Sequence, residues 1–140
     1  MSEEGAKLQY EKMQLERILV DVRKQELDVR TYITGAHSTI RAITAIKNGE
    51  SSSSMISLGA GVMVKANIQT DSTLLMFVGG ETAIEMSIDT ATSYLETQIS
   101  EKNATLNNIV AFQKNATDRL NFVNDSLNKL IESEGHSSGN

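Results

Sequence analysis

SLGAGVMVKANI, running from Ser57 to Ile68 near the middle of the chain, decides the fold, because its period differs from that of the sequence on either side. Val62, Val64, Ala66 and Ile68 alternate with Met63, Lys65 and Asn67, which is the two-residue period of a strand. TLLMFV (Thr73 to Val78) is a second strand-like run, and MISL (Met55 to Leu58) and TAIEM (Thr82 to Met86) supply two shorter ones. The segment also repeats itself at a spacing of 20: Leu58-Gly59 is answered by Val78-Gly79, Val64 by Ile84 and Ile68 by Ile88. Two successive β-hairpins over 55–86 follow, turning at Gly59 and Gly61 and at Gly79 and Gly80, with Gln69 to Ser72 as the link.

Outward from this insert the period changes to heptads. Between about Ala6 and Asn48 the positions Leu8, Glu11, Leu15, Ile18, Val22, Gln25, Val29, Tyr32, Ala36, Thr39, Ile43 and Ile46 make a narrow apolar seam. Asn48 and Gly49 supply a left-handed cap, and the serines that follow make a flexible exit. On the other side Ser87 is the expected N-cap, with Asp89 in a first turn where negative charge complements the helix dipole. From there Thr92, Leu95, Ile99, Lys102, Leu106, Ile109, Gln113, Ala116, Leu120, Val123, Leu127 and Leu130 form a second seam within a helix over 88–132. Residues 133–140 lack apolar content and are expected to be a disordered tail.

Equal seams predict helices that fold back on each other as an antiparallel coiled-coil hairpin, an α+β chain in which facing residue numbers sum to roughly 142. On that register Ile43 meets Ile99, Ala36 meets Leu106, Val22 meets Leu120 and Leu15 meets Leu127. Parallel coiled coils between chains are the competing arrangement. The absence of proline suits long helices, since an interior proline costs about 3 kcal/mol.

Composition narrows the function. With 39% hydrophobic residues, 4% aromatic and no tryptophan, the 140 residues do not promise a large globular core. No cysteine is present, so disulfides and thiolate metal sites are excluded. The net charge of −5 is spread over interleaved acids and bases, which argues against a nucleic-acid partner. No secretory leader or membrane-length apolar run is read, so a cytoplasmic protein with no membrane partner is expected. The glycines of GAG and GG precede strands, where a phosphate cradle needs a helix N-terminus, so no cofactor is expected. His37 and His136 have no second ligand at metal spacing, no nucleophile and base pair is recognisable, and an enzyme is not expected. The glycosylation tripeptides at Asn103, Asn115 and Asn124 carry no weight without a leader.

Two hairpins of this size are marginal alone, and their open edges and apolar runs call for strands from other chains. The residues expected to serve that oligomerisation are Ile56, Leu58, Val62, Val64, Ile68, Leu74, Met76, Val78, Ile84 and Met86.

Helix, then LGAGVMVKANI…LLMFVGGETAIEMSID, then helix resembles the alpha-type subunits of the prefoldin family, the archaeal form above all. The resemblance runs from about Leu8 to Ile131, and its most specific part is the pair of glycine-strand segments followed by SID. It implies a hexamer of two alpha-type and four beta-type subunits, with the hairpins joined in a β-barrel body and the coiled coils projecting from it. It also implies an ATP-independent holdase chaperone that captures unfolded proteins and passes them to a group II chaperonin. The alternative is a structural coiled-coil tether or scaffold without client-holding activity. At the tip where the helices end, Leu8, Tyr10, Met13, Leu127, Leu130 and Ile131 are the candidate client-binding residues, since exposed apolar surface binds without directional demands.

Overall fold

A computed structural model describes residues 2–50, 53–71 and 73–138. Element order is α1 (Glu3–Lys47), β1 (Ser53–Gly59), β2 (Val62–Asn67), β3 (Leu74–Gly79), β4 (Thr82–Met86) and α2 (Ile88–Ser138). The expected α+β architecture is present: two long helices with two small antiparallel hairpins between them.

Local chemistry fixes the helix ends. Ser2 Oγ accepts a hydrogen bond from the Gly5 amide at 3.1 Å, and Ser87 Oγ accepts one from the Thr90 amide at 3.1 Å, each satisfying an orphan donor of a first turn. At the end of α1 the Gly49 amide donates to the Ile46 carbonyl and the Glu50 amide to the Ala45 carbonyl, a Schellman cap with Gly49 at φ +75°. The left-handed residue of the expected cap is thus Gly49 rather than Asn48. The C-terminal end differs from expectation. Helix α2 continues to Ser138, six residues past Glu132, into the segment expected to be a disordered tail. No proline intervenes, and extending an existing helix adds one backbone hydrogen bond per residue fixed. Residues 139–140 lie outside the described residues, as do Ser51, Ser52 and Ser72 of the expected linkers.

Both hairpins carry their bulge and their loop at the same repeat positions. Ser57 pairs with Met63 and Gly59 with Val62, leaving Leu58 as an extra residue; twenty positions on, Phe77 pairs with Ala83 and Gly79 with Thr82, leaving Val78 extra. Ala60 (φ +51°) and Gly61 (φ +81°) form the first loop, the two positive angles of a type I′ turn. In the second loop only Gly80 is positive, as a type II′ turn requires.

The chain divides into two compact units, each with its own core. In the unit of residues 31–103, Ala36 and Ile43 of α1 cluster with Ile88, Ala91, Leu95 and Ile99 of α2, and Leu74, Met76 and Met86 of the second hairpin pack against them. In the unit of residues 1–30 and 104–140, the buried apolar residues are Leu19, Val22, Ala116, Val123 and Leu127.

The α2 seam is as expected, every one of its twelve positions being buried or half-buried. The α1 seam holds at eight of its twelve positions. Leu8, Glu11, Leu15, Val22, Val29, Ala36, Ile43 and Ile46 are buried or half-buried, but Ile18, Gln25, Tyr32 and Thr39 are exposed, and their successors Leu19, Glu26, Ile33 and Ile40 take the inward places. The register also differs. Cross-helix partners are Glu11 with Arg119, Glu26 with Gln113, Tyr32 with Lys102 and Lys47 with Asp89, whose numbers centre on about 135, one heptad below the expected 142. Ala36 accordingly clusters with Ile99, not with Leu106. The caps explain this: α1 ends at Lys47 and α2 begins at Ile88, so the two ends lie flush.

Candidate functional surfaces

Three apolar surfaces are left open by this fold. The first is the β1–β2 hairpin. Ile56 pairs with Val64 on one face, and Met55 and Met63 lie on the other; all four are exposed. Leu58 and Val62 at its turn are 66% and 55% exposed, so both faces of this hairpin stay largely open among the described residues.

The second surface is the outer face of the β3–β4 hairpin. TLLMFV is apolar without alternation, the mark of a strand covered on both faces. One face is already partly used: Leu74, Met76 and Met86, expected to serve oligomerisation, are half-buried against the helices of their own unit. The other face presents Leu75 and Phe77, Phe77 being 72% exposed. Sequence reasoning left out these two, together with Met55 and Met63, although the unbroken run pointed to Leu75 and Phe77. Of the other residues expected to serve oligomerisation, Ile84 and Val78 are exposed in the single chain and Ile68 is half-buried. Along β3 a groove of ≈ 700 Å³ opens between Leu74–Gly79 and helix residues that include Ile43, Tyr94 and Leu95. Lys102 also lines it, its Nζ 5.5 Å from the Tyr32 ring centroid.

The third surface lies toward the free ends of the helices. Tyr10 is 65% exposed, Met13 58% and Ile131 63%, whereas Leu8 and Leu130 are half-buried. Leu127, also expected to meet clients, is 6% exposed and belongs to the seam, because its heptad position points at α1. The candidates that stay open are therefore those off the seam.

Charge near these ends is ordered by the helix pair. Arg119 grips Glu11 through two hydrogen bonds, Nε to Oε1 and Nη2 to Oε2, and holds its carboxyl below the usual carboxylate range. Gln113 first, and Arg30 second, do the same for Glu26. Such contacts orient the helices; they offer no reactive group. Among the described residues no cluster of His, Asp or Glu is placed to hold a metal ion, and no helix is long and apolar enough to cross a membrane.

Comparison with known proteins bears on these surfaces. The family model described as "Prefoldin subunit" matches residues 6–133. The chain is 26% identical over 133 residues to "Prefoldin subunit alpha" of Nitrosopumilus maritimus (strain SCM1), covering 94% of this chain and 92% of that protein. Among solved structures, it is similar to a chain of filamentous PFD from Methanocaldococcus jannaschii determined by cryo-EM. The TM-score is 0.59 at 13% identity, with 89% of this chain and 98% of that chain covered, a likeness that bears on the fold alone.

Proposed function

From the premise that this chain belongs to the prefoldin family, we propose that it is an alpha-type chaperone subunit that holds unfolded proteins without nucleotide and passes them to a group II chaperonin. The observation that carries the reading is the pair of hairpins whose apolar side chains, Ile56, Leu58, Val62, Leu75 and Phe77, are exposed in the single chain. Burial of an apolar side chain is worth about 1.5–3 kcal/mol, so these strands are suited to a sheet completed by other subunits. Two alpha-type and four beta-type subunits sharing a β-barrel body would satisfy both hairpins, and a cytoplasmic setting suits a protein that meets newly unfolded chains.

Client capture is assigned to the helix ends. Tyr10, Met13 and Ile131 offer apolar area that the seam between α1 and α2 leaves exposed, and methionine adapts to varied surfaces because its side chain is flexible and polarizable. Leu8 and Leu130 flank them with partly enclosed side chains.

The test dilutes a chemically denatured protein into buffer without ATP, in the presence of this chain and a beta-type partner, and follows aggregation by light scattering. Suppression by a complex of about six subunits is the expected result. A stable complex that leaves aggregation unchanged would favour a tether or scaffold and remove the holdase assignment. Joint replacement of Tyr10, Met13 and Ile131 by serine should weaken capture while the complex persists; unchanged capture would remove the tip assignment.

A further inference from the structure

Helix α1 carries a second heptad seam on the side away from α2. Tyr10, Met13, Arg17, Val20, Lys24 and Leu27 follow one another at alternating spacings of three and four, the interval that keeps residues in one line on a coiled-coil helix. All six are exposed, Val20 and Leu27 each by 64%, and neither Arg17 nor Lys24 forms an ion pair among the described residues. A solvated helix face has no need of valine and leucine at heptad spacing, alternating with two cations.

The outward face of α2 in the same unit has the complementary pattern. Asp118, Phe122 and Asp125 are exposed there, Phe122 by 57% although the Arg119 guanidinium lies 4.9 Å from its ring centroid. Neither aspartate is in an ion pair among the described residues. The spacings also agree. Arg17, Val20 and Lys24 are separated by three and then four; Asp125, Phe122 and Asp118, taken in reverse, are separated by three and then four.

We propose that α1 of one copy docks antiparallel along α2 of a second copy, Arg17 against Asp125, Val20 against Phe122 and Lys24 against Asp118. The two faces belong to different helices and differ in charge, so the contact is head-to-tail: the pair keeps one free face of each kind, α2 on one copy and α1 on the other, and lateral association continues until geometry closes it. Exposed charge pairs contribute little and are screened by salt, so the contact is weak and transient, suited to clustering assembled particles and not to building them.

The natural absence of cysteine makes the test direct. Full-length Val20→Cys and Phe122→Cys chains, each assembled with its partner subunits, are mixed, and disulfide formation between them is followed under mild oxidation. Disulfides that join the two different variants should form at least about tenfold faster than disulfides between two copies of the Val20→Cys chain at about 0.05 M salt, and the excess should disappear at about 0.5 M. Arg17→Glu in the first chain should abolish the excess, and Asp125→Arg in the second should restore it. Equal rates for mixed and like products, or an excess indifferent to Arg17→Glu, would overturn the proposal. Circular dichroism on each variant confirms that the helices persist, so loss of the contact is distinguishable from loss of fold.

Discussion

Arg119 and Glu11, 108 residues apart in sequence, are joined by a two-pronged hydrogen-bonded ion pair whose Nη2–Oε2 arm measures 3.0 Å. The pair pins the register of the helices within the unit of residues 1–30 and 104–140. A shift by one heptad would carry Arg119 about 10 Å along the axis, beyond reach of Glu11. Both side chains are partly solvated, so Glu11→Gln should lower the melting temperature slightly in low salt, and the difference should vanish in high salt. Melts at two ionic strengths check this.

Acid should loosen the same unit. Glu11 is held below the ordinary carboxylate range by Arg119, and Glu26 by Gln113 and then Arg30. Because the folded values are depressed, the stabilisation is complete above the unfolded carboxylate value of about 4.3 and is lost as pH falls through the folded values. Helicity measured against temperature at pH 6, 4 and 3 should fall with acid. The fall should be shallower in a Glu11→Gln, Glu26→Gln chain, and parallel curves would contradict the assignment.

The corrected seam makes adjacent residues behave oppositely. Leu19 is 5% exposed and Leu19→Ala should cost about 2–4 kcal/mol, while Ile18→Ala, at a position 36% exposed, should cost less than about 1 kcal/mol. Urea unfolding of the two variants decides between the seams.

Backbone geometry gives a matched pair of substitutions. Gly49 has φ +75°, and an added Cβ would meet only Thr70 Cγ2 at an ordinary 3.5 Å, so Gly49→Ala should cost about 1–2 kcal/mol through conformation alone. Ala60 occupies φ +51° without being glycine, and Ala60→Asn, which creates the favoured Asn-Gly type I′ loop, should stabilise the first hairpin by about 0.5–1 kcal/mol. Hydrogen exchange of the β1–β2 amides, slower in the Asn variant, would register it.

Loss of the α2 cap should be felt where the hairpins enter the helix. Ser87→Ala removes the acceptor of the Thr90 amide and should cost about 1 kcal/mol, with Ser87→Asp close to neutral, by chemical denaturation.

How much of this was legible in the sequence depends on how many partners a residue had to choose between. The hairpins were legible in the two-residue alternation and the repeat of 20, and their turns in glycines that tolerate positive φ. The α2 seam was legible because residues beside Ile99, Leu106 and Leu120 are polar, leaving one choice of face there. On α1 the choice was doubled: Ile18 stands beside Leu19 and Tyr32 beside Ile33, so two stripes fit the period, and only contact with α2 selected the second.

The sequence by itself thus determined the elements, their order, their caps and the open hairpin edges that point to assembly. Tertiary structure decided which α1 residues turn inward, which hairpin face is spent on the chain's own helices, and the register of the helix pair. That register is hidden in any heptad sequence, because sliding one helix by seven residues returns an apolar position to every seam place. What breaks the degeneracy is not periodic: flush capped ends at Lys47 and Ile88, the Lys47–Asp89 contact at 2.7 Å and the grip of Arg119 on Glu11.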